Sequence, residues 1–316
     1  MNEPMIASAG MEEQAALAQE RELAAGAAGK RKRRDWGPLW TLSPVFFWMI
    51  CFVAAPLAII VLVSFFTRGL YGGIDYLFTL ENYVRMFNPL YFKILGSSLS
   101  VSFFTTLFCL LLGYPFAYFV ARAPQKIRSI LLMLIIIPFW SNSLVRTYAW
   151  IVLLRTEGII NTVLIQLGLI TEPLKLLYNE TGVLIGMVYT LFPFMVLPLY
   201  TSIEKLNPSL LEAASDLGAV AWKRFVRITL PLTMPGIVAG SILVFIPTLG
   251  YFFIPDLMGG SKTMLISNLI KNQFLTARDW PFGSALSILL ILLTLVLIGF
   301  YMRLARSQSD MEVFGA

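Results

Sequence analysis

The sequence predicts an all-α membrane protein with six spanning helices. Three observations predict it. Hydrophobic residues make up 58% of the 316 positions and charged residues only 13%, whereas a soluble domain carries about a quarter charged residues. The apolar residues gather into six runs, each near the roughly 20 residues a helix needs to cross the hydrocarbon core. Lys and Arg concentrate between these runs rather than on one face or stripe. The net charge of +6 therefore reads as topology-setting charge at a lipid bilayer, not as a nucleic-acid footprint.

Taken in order, residues 1–39 are rich in Ala, Glu and Gln and include the basic run Lys30-Arg31-Lys32-Arg33-Arg34. They are expected to form a mobile cytoplasmic tail. The six spans are placed near 43–66, 96–120, 129–152, 181–203, 233–255 and 283–304, within a membrane domain of residues 40–305. Residues 306–316 form a short cytoplasmic tail. The third, fourth and fifth runs contain Pro138, Pro193, Pro198 and Pro247. Proline frees carbonyls and permits a kink, which neighbouring helices can shield. Gly236, Gly240, Ser241, Gly283 and Ser287 allow close helix approach in the last two spans.

With the N-terminus inside, the cytoplasmic pieces hold most of the 24 Lys and Arg residues. The short loop Arg122-Ala-Pro-Gln-Lys126-Ile-Arg128 is densely basic, and short loops weigh most in the positive-inside rule. Both termini are expected in the cytoplasm.

Several chemistries are excluded. There is no histidine, which removes the Ser-His-Asp triad and the HExxH zinc site. Cys51 and Cys109 lie in apolar runs and suit neither a disulfide framework nor a metal site. No Walker A pattern is present. No catalytic residue, no metal site and no bound cofactor are expected in this chain.

The segment 204–232 stands apart. Asn207 is a good N-cap and Pro208 suits the first helical position. Leu210, Leu211, Ala214 and Leu217 recur at helical spacing. Gly218 permits a sharp turn. Lys223, Arg224 and Arg227 then lead to Leu230-Pro231 and back to the membrane. The result is a short amphipathic helix between two spans. It suits docking into a groove of a cytosolic partner, and equally a helix lying at the headgroups.

Glu212-Ala213-Ala214, three residues, Gly218, nine residues and Ile228-x-Leu230-Pro231 resemble the EAA motif of ABC-importer permeases at every spacing. Further segments resemble the polyamine-type permeases of spermidine/putrescine importers. These are Phe78-Thr-Leu-Glu-Asn-Tyr83, Pro138-Phe-Trp-Ser-Asn-Ser-Leu-Val-Arg146-Thr-Tyr148, Leu197-Pro-Leu-Tyr-Thr-Ser-Ile-Glu-Lys205, Asp256-Leu-Met-Gly-Gly260 and Arg278-Asp-Trp-Pro-Phe-Gly283. The likeness covers roughly residues 40–305.

The resemblance implies a type I ABC-importer permease fold in a bacterial inner membrane. It implies that the 204–232 segment is a coupling loop, that Glu212 meets the ATPase or caps the loop, and that Gly218 makes the turn. Implied partners are a second permease (PotC-like), an ATPase dimer (PotA-like) that holds ATP and Mg, and a periplasmic polyamine-binding protein (PotD-like). Carboxylates and aromatic faces hold polycations. Asp256, at the outer end of the fifth span, is the first candidate for the substrate path. Trp140, Tyr148 and Tyr251 are aromatic candidates. Glu157 and Glu172 serve either substrate or docking of the binding protein, and Arg146 is expected to be paired or interfacial. An importer for another small solute and a stand-alone secondary transporter remain alternatives.

Overall fold

The computed structural model describes residues 37–260 and 263–314, with side chains for 43–260 and 263–303. The basic run Lys30–Arg34 lies outside the described residues. The chain divides into two compact units, meeting at Ile59 and Ile60. The first is helical: α1 (Gly37–Met49) passes through a π-helical turn, Ile50–Ala54, into α2 (Ala55–Val63), which ends in the second unit. Ser43–Val63 is a candidate span with none of its most apolar stretch buried. Its Phe47, Phe52 and Ile50 side chains stand well exposed, a surface that calls for a non-aqueous environment.

The second unit begins with a two-stranded antiparallel hairpin, β1 (Phe66–Arg68) and β2 (Ile74–Phe78), which the sequence reading did not include. Gly72 and Gly73 turn it with φ of 90° and 85°, a region open to glycine. A short α3 (Glu81–Arg85) follows. Its buried Asn82 donates from Nδ2 to the carbonyls of Ser64 and Phe66 at 3.0 and 2.9 Å. The Tyr83 hydroxyl lies 2.7 Å from Ser64 Oγ. The Phe78–Tyr83 motif thus ties the hairpin to the following helix.

Three long helices form the core: α4 (Pro89–Arg122), α8 (Glu180–Glu204) and α12 (Met234–Gly250). Cys109, Ala117, Leu191, Met195, Val196, Leu199 and Val244 are fully buried among them. The helices approach closely at glycines. A Cβ on Gly236 would lie 2.5 Å from Ser202 Cβ, and one on Gly240 2.7 Å from Met195 Sδ. Helix α8 continues through Pro193 and Pro198. Just past Pro198, Thr201 Oγ1 donates to the carbonyls of Leu197 and Pro198 at 3.2 and 3.0 Å.

The third expected span requires correction. No continuous helix covers 129–152. Instead α5 (Gln125–Ile136) tightens into a 3₁₀ turn, Ile137–Trp140, and α6 (Ser143–Leu154) starts afresh, followed by α7 (Ile159–Gln166). The reason is local. Pro138 lacks the donor that would extend the helix, and Asn142 caps the next one, accepting from Leu144 N–H at 2.8 Å. Ser143–Gln166 is the candidate span in this region.

The fifth span also differs from 233–255. Residues Ala221–Leu232 and Met234–Gly250 are bent by 63° at Thr233. The helix stops at Gly250, and α13 (Phe253–Met258) is a separate short helix. After α14 (Ile266–Leu275), α15 (Trp280–Phe314) contains the last candidate span, Trp280–Arg303. Counting the bent pair as one, six candidate spans are present among the described residues.

Candidate functional site: a coupling segment and an opposite ion-paired cluster

Contacts sort the connections into two groups. Arg128 pairs with Glu204, joining the 123–128 turn to the start of the 204–232 segment, whereas Gly73 N–H donates to Arg278 O and Tyr178 N–H to Met258 O, joining the hairpin and the 155–179 segment to the chain around α13 and before α15.

In the first group, α9 (Pro208–Asp216) is the short helix expected after Asn207. Asn207 Oδ1 accepts from Ser209 N–H at 3.1 Å and from Ser209 Oγ at 2.9 Å, capping the helix. At its far end Gly218 has φ 79°. Ala219 N–H donates to Ala214 O, and Gly218 N–H to Ser215 O, each at 2.9 Å. This is a Schellman termination, which favours glycine for its positive φ. Nothing lies within 4 Å of a Cβ placed on Gly218, so backbone conformation alone selects the residue.

Beyond the turn come α10 (Ala221–Arg224), a π-helical turn, Phe225–Thr229, and α11 (Leu230–Leu232). Arg224 Nη1 donates to Ser215 Oγ, stapling α9 to α10. Glu212 and Ala213 are exposed and Ala214 is half-buried. Glu212 lines a recess of about 300 Å³ with Tyr118, Arg122 and Arg224. Asn207 performs the capping; among the described residues Glu212 bonds nothing in the loop. Ile228 and Leu230 are half-buried, and Pro231 is exposed at the return to the membrane.

The segment is fixed to the core. The Tyr114 hydroxyl lies 2.9 Å from Thr233 Oγ1, and the Tyr114 and Phe225 rings meet edge to face at 5.6 Å. Arg128 pairs with Glu204 at 2.6 Å and also donates to Ala121 O at 3.1 Å. The sequence reading named Arg128 only as topological charge. The structure makes it a brace between the α4–α5 turn and the end of α8.

In the second group, Asp256 sits in the first turn of α13, past the break at Tyr251, rather than ending the fifth span. Lys271 Nζ donates to its Oδ2, and Asn268 Nδ2 to its Oδ1. Asn268 Nδ2 also donates to Phe252 O at 2.7 Å. Lys271 lies 5.9 Å from the centre of the Phe252 ring. Sequence reasoning missed Asn268 and Lys271. Their spacing of three on the amphipathic α14 was the available signal.

Of the other candidates, only Tyr251 joins this neighbourhood. Its ring is 5.3 Å from Phe253, and its carbonyl accepts from Ser267 Oγ at 2.6 Å. Trp140 and Tyr148 are exposed, at 81% and 56%, on either side of the break in the third span. Glu157 lines a depression of about 520 Å³ with Arg155, Lys175 and Tyr178, and Glu172 is exposed nearby in sequence. Arg146 has no ion pair among the described residues; its guanidinium rests 5.2 Å from the Phe139 ring. It lines an apolar cleft of about 800 Å³ with Phe108, Trp150 and Phe192.

The chain is thus a multi-span helical bundle that carries a capped surface helix before its penultimate span. The chain belongs to the family described as binding-protein-dependent transport system inner membrane component, whose model matches residues 113–310. It is 51% identical over 259 residues to the spermidine/putrescine transport system permease protein PotB of Salmonella typhimurium, covering 82% of this chain and 90% of that one. The PotB of Haemophilus influenzae is 50% identical over 265 residues, covering 83% and 92%. A chain from the crystal structure of a bacterial alginate ABC transporter, in complex with its alginate-bound periplasmic protein, superposes with a TM-score of 0.71. That match is 20% identical and covers 87% of this chain and 96% of the other, a likeness of fold alone.

Proposed function

We propose that this chain is a transmembrane permease subunit of an ATP-driven polyamine importer, taking spermidine, putrescine or both. The observation that carries the coupling role is the 204–232 segment. Its helix is capped at both ends, stapled by Arg224 and exposed along Glu212 and Ala213. A loop held this stiffly can transmit a push without deforming. The substrate class is supported by the identity to the two PotB relatives over most of this chain.

In this reading the segment faces the cytoplasm, as do both termini. It docks onto an ATPase dimer that binds ATP and Mg, while this chain binds neither and catalyses nothing. A second, PotC-like permease completes the pore, and a periplasmic polyamine-binding protein delivers substrate to the end bearing Asp256. ATP drives alternation between inward- and outward-open states through its differential affinity for them.

The test is ATP hydrolysis by the assembled complex in lipid, with and without spermidine-loaded binding protein. Stimulation is expected. An assembly that hydrolyses ATP but ignores polyamine would overturn the substrate, and failure to bind any ATPase would overturn the coupling role.

A further inference from the structure

Arginine keeps its charge in every environment a protein offers, so a guanidinium held away from water calls for an anion. Arg146 is half-buried in the wall of the apolar cleft of about 800 Å³, with Phe108, Phe139, Trp150, Tyr189 and Phe192 around it. Its Nε is buried without a hydrogen-bond partner. Among the described residues the guanidinium forms no ion pair; it rests beside the Phe139 ring.

Ring contacts fix its depth. Phe139 meets Phe194 at 5.4 Å and Trp150 meets Tyr189 at 5.3 Å, so Arg146 lies level with residues 189–194 of α8. These residues are near the middle of Glu180–Glu204, about 14–22 Å from either end at roughly 1.5 Å per residue. The hydrocarbon core is about 30 Å thick, which puts Arg146 near the middle of the bilayer. A charge at that depth is costly and is met by a partner or a polar cavity. The walls here are apolar, which leaves the partner.

Depth also selects the anion. A lipid phosphate sits outside the hydrocarbon core, and a polyamine is itself a cation. A carboxylate on a spanning helix does reach the midplane. Within the candidate spans of the described residues, the acidic groups are Glu157, between α6 and α7, and Glu180 and Glu204 at the two ends of α8. A second copy of this chain therefore offers Arg146 no carboxylate at its own depth. A different permease can.

We propose that the cleft receives a spanning helix of the second permease, and that one Asp or Glu on that helix pairs with Arg146 near the middle of the bilayer. The proposal deepens the importer reading and rests on it for the existence of the second permease. An apolar helix fills the cleft, and the ion pair sets its register, because one height alone brings carboxylate to guanidinium. The pair also selects the mixed assembly over two identical chains, which would bring only a second arginine.

The complex of both permeases and the ATPase in lipid tests it, with a photo-crosslinking phenylalanine analogue in place of Leu134, an exposed residue of the cleft wall. Illumination is expected to join this chain to the second permease. An adduct between two copies of this chain would overturn both the pairing and the second-permease reading. Adducts with lipid alone would overturn the pairing and leave the importer reading standing.

Substitutions test the charge itself, read as retention of the second permease by this chain on dilution in detergent. Arg146→Gln strands a carboxylate in the interface and is expected to weaken retention about a hundredfold or more. Arg146→Lys keeps the charge and is expected to hold the second permease. In an Arg146→Glu background, each Asp and Glu within the second permease's spans is changed in turn to Arg. One of these changes is expected to restore assembly and polyamine-stimulated ATP hydrolysis together. Restoration by none of them, or full retention in Arg146→Gln, would overturn the pairing.

Discussion

The Tyr114 hydroxyl and the Thr233 hydroxyl meet 2.9 Å apart, both buried, where α4 passes the 63° bend between the surface segment and α12. Thr233 Oγ1 also donates to Thr229 O at 2.8 Å, one turn back. Its acceptor capacity therefore serves Tyr114, and this contact joins the edge-to-face packing of Tyr114 on Phe225 in holding the bend to the core. Tyr114→Phe removes the bond and keeps the packing, at an expected cost of about 0.5–1.5 kcal/mol. Thr233→Val leaves the Tyr114 hydroxyl buried without its partner and is expected to cost more, about 1–3 kcal/mol. Thermal unfolding of the complex in lipid measures both; equal costs would remove the contact from the account of the bend.

Gly218 holds a left-handed backbone with open space around it. Gly218→Ala is therefore expected to cost about 1–2 kcal/mol, all of it conformational. Gly218→Asn, which tolerates this region better, should cost less. Association with the ATPase is the readout. An alanine variant that assembles and couples as the wild type does would remove the turn's role.

Glu212 is exposed and bonds nothing in its own loop. Glu212→Ala is expected to move the stability of the isolated permease by less than about 0.5 kcal/mol, as surface changes do. Substrate-stimulated ATP hydrolysis should fall at the same time. Full stimulation in the variant would sink the partner contact.

Arg85 and Asp279 pair at 3.0 Å, with the carboxylate side chain only 3% exposed and the arginine 40%. Asp279 Oδ1 also accepts from Phe282 N–H at 3.2 Å, at the start of α15. Removing either residue does not cost the same. Asp279→Ala loses a charged hydrogen bond, about 1.5–3 kcal/mol, and frees an arginine that can turn to water. Arg85→Met strands a buried carboxylate, expected to cost about 3–5 kcal/mol. Chemical or thermal unfolding of the two variants checks the order, and a milder Arg85→Met would contradict it.

Much of the helical plan was legible because it rests on short-range chemistry. Asn207, Pro208 and Gly218 mark the two ends of α9 by rules that need only neighbours along the chain. The fourth span, expected at 181–203 and found at Glu180–Glu204, follows from an unbroken apolar run. The break in the third span was written in Pro138 and Asn142, but the apolar residues on both sides masked it. Helix-period hydrophobicity is continuous there even though the hydrogen-bond ladder is not.

The candidate site divides the same way. The sequence by itself determined that this chain lives in lipid, that it carries a stiff surface helix before its penultimate span, and that Asp256 was a residue to watch. Only the tertiary structure decided what Asp256 meets. Lys271 and Asn268 reach it from α14, and Arg85, on α3, reaches Asp279, 194 residues away along the chain. Composition and periodicity describe what each segment does to its own backbone and solvent. A charge's partner depends on which segments the fold brings within a few ångströms, and no local pattern carries that distance.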